Sequence, residues 1–135
     1  MQRGQISIDL IIALIVVIMA AGSMATVLDG YRAGQDKILL ENQVRMESLR
    51  LSNFITASQA MSDINFYAVE PISKISYKGN LFYPEIIIRN DLNTITVRAI
   101  ANDMNVDANF GFSRQSSMTP ELDLVNNFLV VRNAR

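Results

Sequence analysis

The sequence predicts an α+β chain: a long N-terminal α-helix with an apolar first half, then a small C-terminal antiparallel β-sheet domain packed on the helix's second half. Three observations carry this expectation. Leu10 to Leu28 is nineteen residues without a charge. From Gln5 to Glu70 there is no proline, so no residue in that stretch lacks the N–H a helix needs. Beyond about Ile64 the apolar period falls from 3.6 to 2, the spacing of half-buried strands.

The chain opens with Met1-Gln2-Arg3-Gly4, a short basic leader ending in glycine, and runs straight into apolar residues. Nineteen helical residues rise about 28 Å, enough to cross the hydrocarbon of a bilayer. A secretory signal peptide has a shorter apolar core, although the small residues from Ala20 to Ala25 offer a cleavage site of that kind. A plain signal-anchor helix is the other simple reading, with Arg3 holding its start in the cytoplasm. Neither accounts for Asp9. A carboxylate costs about 2.5–3.5 kcal/mol at the bilayer centre and asks for a partner. Cleavage between Gly4 and Gln5 would create a free α-amine at Gln5, one helical turn from Asp9, where side chains meet. That ammonium, from the same chain or a neighbour, could then pair with the acid. The acid also suits a helix N-terminus through the macrodipole.

Gly4 followed by Gln5-x-Ser7-x-Asp9 resembles the processing site of archaeal type IV pilins with a class III signal peptide. Their pattern is Gln-x-Ser-x-Glu, cut after the glycine, with an apolar residue four positions on. Gln5 and Ser7 match. Asp9 replaces the usual Glu and keeps its charge, and Ala13 stands where Leu is usual, with Leu14 one step late. The motif covers residues 1 to about 30; the remainder is similar in architecture alone. The resemblance implies a type IV pilin-like fold and a precursor in the cytoplasmic membrane. It implies a prepilin peptidase that acts at Gly4 and Gln5, with Ser7 and Asp9 serving assembly. It also implies an assembly ATPase, a membrane platform protein and an extracellular adhesion filament that is a helical homopolymer of this chain. A minor pilin or an archaellin is the near alternative, although archaellins as a rule lack the Gln-x-Ser pattern. A single-pass anchored binding domain that never polymerises is the alternative of a different class.

Past Leu28 the helix becomes amphipathic. Ile38, Leu40, Val44, Leu51 and Ile55 form an apolar stripe, and Asp36, Lys37, Glu41, Arg45, Glu47 and Arg50 fill the other positions. Glu41–Arg45 and Glu47–Arg50 have the spacing of helix-face ion pairs, each worth about 0.2–0.5 kcal/mol. One helix from about Ser7 to about Met61 would be ~80 Å long. A head this small does not cover it, so lipid or copies of the chain must shield the leading half. Gly22, Thr26, Gly30 and Gly34 repeat every four residues beside Ala21 and Ala25. Such small-residue strips let helices approach closely. The competing account is a flexible joint, because each glycine costs ~1 kcal/mol in a helix relative to alanine.

Four organisational segments follow: leader 1–4, apolar membrane or filament-core helix 5–28, amphipathic continuation 29–64, and β-rich head 65–135. In the head, Ile72–Tyr77 and Leu81–Arg89 read as strands joined by Lys78-Gly79-Asn80, with Pro84 marking an edge or bulge. Thr94–Ala101 and Val106–Phe112 alternate cleanly. Asn90-Asp91-Leu92-Asn93 and Asn102-Asp103-Met104-Asn105 are turns, and Ser113–Pro120 is a loop. Glu121–Arg132 is a strand or a tight hairpin about Asn126-Asn127. The sum is one sheet of four to six strands lying on the helix segment from Ile38 to Ile64.

Composition closes off several functions. Twelve basic against thirteen acidic residues leave no electrostatic case for nucleic acid. The absence of cysteine excludes disulfides and thiolate metal sites, and the absence of histidine removes the commonest general base and zinc ligand. No ordinary nucleophile–base pair can be built, and no phosphate-binding glycine loop is present, so no enzyme activity, cofactor or metal is expected. Asp103, Asn105 and Asp107 offer oxygen ligands for calcium but lack the glycine and terminal glutamate of an EF-hand loop. Asn-x-Ser/Thr does not occur, which excludes N-glycosylation at that sequon.

Overall fold

The computed structural model describes residues 2–60, 66–101, 104–113 and 121–133, with side chains for 8–60, 67–101, 104–113 and 121–132. The chain is α+β. Among the described residues one helix, α1 (Gln2–Gln59), precedes eight strands. These are β1 (Phe66–Pro71), β2 (Ile75–Tyr77), β3 (Asn80–Phe82), β4 (Glu85–Arg89), β5 (Thr94–Ala101), β6 (Met104–Gly111), β7 (Glu121–Val125) and β8 (Phe128–Asn133). The chain divides into two compact units, one ending at Lys37 and one spanning Ile38–Arg135.

The described residues of the first unit are all helical. Gly30 and Gly34 do not interrupt the helix, because both keep ordinary negative φ within α1.

The second unit has its core between the later turns of α1 and the strands. Leu40, Val44, Leu51 and Ile55 are fully buried at steps of four, seven and four, one face of a helix. They join Ile95, Val97 and Ala99 of β5, Leu129 and Val131 of β8, Ile75 and Tyr77 of β2, and Phe112. Ile38, expected in this stripe, is instead exposed. Two residues before Leu40, it sits 200° around the helix from it.

The same helix face carries a row of hydroxyls at four-residue spacing. Ser48 Oγ donates to the Ala108 carbonyl at 3.1 Å, and Ser52 Oγ to the Gly111 carbonyl at 2.8 Å. Thr56 Oγ1 accepts from the Ser113 N–H at 3.3 Å while donating to the Ser52 carbonyl. These small side chains bring β6 close to the helix and satisfy its carbonyls there.

Where one sheet of four to six strands was expected, eight strands among the described residues form three antiparallel sheets, ordered β1-β8-β7, β2-β3 and β4-β5-β6. Strand β1 was not foreseen; it pairs with β8 from Phe66↔Asn133 to Pro71↔Phe128. The strand expected over Ile72–Tyr77 shortens to β2. The Ile72 N–H goes to the Asn127 carbonyl and the Ser73 N–H to the Glu47 carboxylate, so neither serves a ladder. The strand expected over Leu81–Arg89 divides at Tyr83-Pro84, where proline has no N–H to donate. Lys78 and Gly79 turn between β2 and β3 at φ of 48° and 79°. Glu121–Arg132 is the hairpin alternative: Asn126 and Asn127, at φ of 49° and 63°, make the two-residue turn. Met104 and Asn105, expected in a turn, begin β6; Asn102 and Asp103 lie outside the described residues. So do the expected helix end at Met61 and most of the Ser113–Pro120 loop.

Two charge clusters fasten the second unit. Glu47, expected off the apolar stripe, is buried. Its Oε1 accepts from Arg50 Nη2 and from the Ser73 N–H, each at 2.7 Å, and its Oε2 accepts from Arg50 Nε at 3.1 Å. Arg50 also donates to Glu70 Oε1 at 2.7 Å and to the Pro71 carbonyl. The knot ties α1 to the end of β1 and the segment entering β2. The expected Glu41–Arg45 pair is not formed among the described residues. Across the β4-β5-β6 sheet, Glu85, Arg98 and Asp107 stand in register. Arg98 reaches Asp107 at 3.0 Å and Glu85 at 3.7 Å. The Asp107 hydrogen bond, and then its charge, hold the guanidinium above its ordinary pKa.

Candidate functional site on the N-terminal helix

Between Ile8 and Leu28 the helix has thirteen large apolar side chains, each between 47% and 70% exposed. Its most apolar eighteen-residue window has a mean hydropathy of 2.6 and no buried residue. Length and composition therefore suit a membrane crossing. The helix satisfies its own backbone, as a span in hydrocarbon requires. Its hydroxyls are satisfied locally as well. Ser23 Oγ donates to the Ala20 carbonyl at 2.9 Å, and Thr26 Oγ1 donates to the Ser23 carbonyl at 2.8 Å.

The magnitude of this exposure is decisive. Fully burying a Leu, Ile or Val side chain is worth roughly 1.5–3 kcal/mol. Thirteen such side chains left about half exposed forgo on the order of 10–20 kcal/mol. That equals or exceeds the roughly 5–15 kcal/mol by which a whole domain is stable. A surface of that magnitude is compatible with insertion into a membrane.

Asp9 is exposed within this apolar surface and makes no ion pair among the described residues. Gly4, Gln5 and Ser7 belong to α1, but their side chains lie outside those described. Ala21, Gly22, Ala25, Thr26, Gly30 and Gly34 are all exposed. A Cβ added at Gly22, Gly30 or Gly34 would meet nothing within 4 Å, and none of the three needs a positive φ. Within the chain, then, neither packing nor backbone conformation demands glycine at these positions. Thr26 differs from them in spending its hydroxyl on its own helix.

A second exposed apolar surface went unnoticed in the sequence. Leu39, Met46 and Leu49 face away from the core on the α1 segment of the second unit. The signal was available: these residues are apolar yet fall off the 40–44–51–55 stripe. Among the described residues no cluster of three or more carboxylates is arranged to hold a metal ion. Asp107 is committed to Arg98, and Asp103 lies outside the described residues. Compared with known protein families, with characterised proteins and with solved structures, the chain matches none.

Proposed function

We propose that this chain is the structural subunit of an extracellular filament of the archaeal type IV pilus kind, an adhesion fibre polymerised through its N-terminal helix. The observation that carries the reading is the uncovered apolar surface from Ile8 to Leu28, with one carboxylate, Asp9, set in it. Lipid covers that surface in the stored precursor, and copies of the same helix cover it in the filament. The exchange replaces apolar contact with apolar contact, so hydrophobicity alone does not drive it. Close packing at the small-residue strip and neutralisation of Asp9 supply the difference. A prepilin peptidase cutting after Gly4 provides the ammonium at Gln5 for that neutralisation. The assembly ATPase and platform protein then extrude the filament, with the β-rich heads outward.

Asp9→Ala tests this directly. The precursor is expected to accumulate in the membrane as before, while sheared filaments fall roughly tenfold, the effect of losing about 1.4 kcal/mol per contact. Filament yield equal to that of the natural chain would refute the role given to Asp9. The same apolar run also suits a single-pass anchor. That reading expects a detergent-soluble monomer with Met1 still attached.

A further inference from the structure

The outer face of α1 in the second unit is not the polar surface that a helix packed on a sheet normally turns to water. Leu39 and Met46 lie there at 56% and 65% exposure. Beside them an open groove of about 450 Å³ runs between α1 and the segment entering β2. Met46, Leu49 and Ile75 give it an apolar lining, Gln43 and Asn53 contribute amides, and Lys74 contributes an ammonium. The Gln43 amide is already fixed by the Ser76 N–H and carbonyl, at 2.8 and 3.0 Å. Arg50, which also lines the groove, is held by Glu47 and Glu70. Lys74 differs. Its Nζ stands 5.2 Å from the centre of the Tyr83 ring and makes no ion pair among the described residues. An apolar groove with one unneutralised cation suits an apolar segment that carries one acid.

This chain has such a segment. The uncharged run ends at Leu28 and is followed at once by Asp29, exposed and without an ion pair among the described residues. We infer that the groove receives the end of the apolar helix of a second copy, with Asp29 of that copy meeting Lys74. This rests on the filament reading and specifies one contact within it. The inserting and receiving surfaces are different patches of one chain. An unreciprocated contact of this kind is heterologous: it leaves a free groove and a free helix at the two ends and, where the rotation between copies does not close a ring, repeats as a filament requires. The charge pair sets the register of an otherwise featureless apolar contact.

The chain contains no cysteine, so an engineered pair reports on this contact alone. Filaments sheared from cells that express Leu28→Cys with Met46→Cys are oxidised mildly and run on a non-reducing gel. A ladder of covalent multimers is expected, with none from either single variant. Separately, Lys74→Glu is expected to lower filament yield roughly tenfold, and adding Asp29→Lys to restore it. Filaments of the double-cysteine variant that stay monomeric on the gel would overturn the inference, as would a charge swap that restores nothing. Either result leaves the filament reading standing. Absence of filaments from the natural chain would instead overturn that reading.

Discussion

Glu47→Gln isolates the energetics of the head in one substitution. The carboxylate is 7% exposed and accepts three hydrogen bonds, two from the Arg50 guanidinium and one from the Ser73 N–H. Glutamine keeps the size and retains one acceptor oxygen. Its NH2 group would face Arg50 N–H donors, so at least one charged hydrogen bond is lost and a donor meets a donor. A hydrogen bond to a charged group is worth about 1.5–3 kcal/mol. The Arg50 side chain is 37% exposed and keeps Glu70 and the Pro71 carbonyl, so water and those partners recover part of the loss. The expected net destabilisation is about 2 kcal/mol, near the middle of that range. For a domain of roughly 100 residues this lowers Tm by about 8–16 °C. The assay is thermal unfolding of the full chain in detergent, followed by near-UV circular dichroism of its tyrosines. A Tm within about 2 °C of the natural chain, less than 1 kcal/mol on this scale, would refute the claim that this knot secures β1 and β2 to the helix.

Other outcomes follow from the same geometry. Leu51→Ala removes a fully buried side chain from the centre of the core and is expected to cost about 2–5 kcal/mol in denaturant unfolding. Ser52→Ala leaves the Gly111 carbonyl without its 2.8 Å donor. About 1 kcal/mol is expected to be lost, read as faster amide exchange along β6. Added calcium is expected to leave Tm unchanged, because Asp107 is held at 3.0 Å by Arg98; a rise in Tm would place an ion where none is expected.

Legibility in the sequence followed the strength of the local signal. The helix was plain because nineteen uncharged residues and the absence of proline leave few alternatives. Strand β5 and most of β6 were plain because apolar residues alternate at Ile95, Val97 and Ala99 and at Val106, Ala108 and Phe110, and the Asn126-Asn127 hairpin was one of two readings because asparagine tolerates the positive φ both positions adopt. Strand β1 escaped because Phe66–Pro71 sits where the helical pattern fades and ends in a proline, and its pairing with β8 spans most of the head. The buried Glu47 escaped for a related reason. Its partner Arg50 one turn on reads as half of an exposed helix-face pair, and only the arrival of Ser73 and Glu70 from other segments encloses it. The division into three sheets reflects tertiary placement that no short window encodes. On the N-terminal helix, Asp9 and the small-residue strip were visible as sequence. The groove at Met46 and Lys74 was not, because Lys74 and Ile75 reach it from outside the helix.

The most direct measurement is the intact mass and N-terminal sequence of the chain recovered from filaments sheared from the cell surface. A mass lacking Met1 to Gly4, with Gln5 carrying a free α-amine at the terminus, is the expected result. Full-length chain with Met1 attached, found as a monomer in the detergent extract of the membrane and never in a filament pellet, would contradict it.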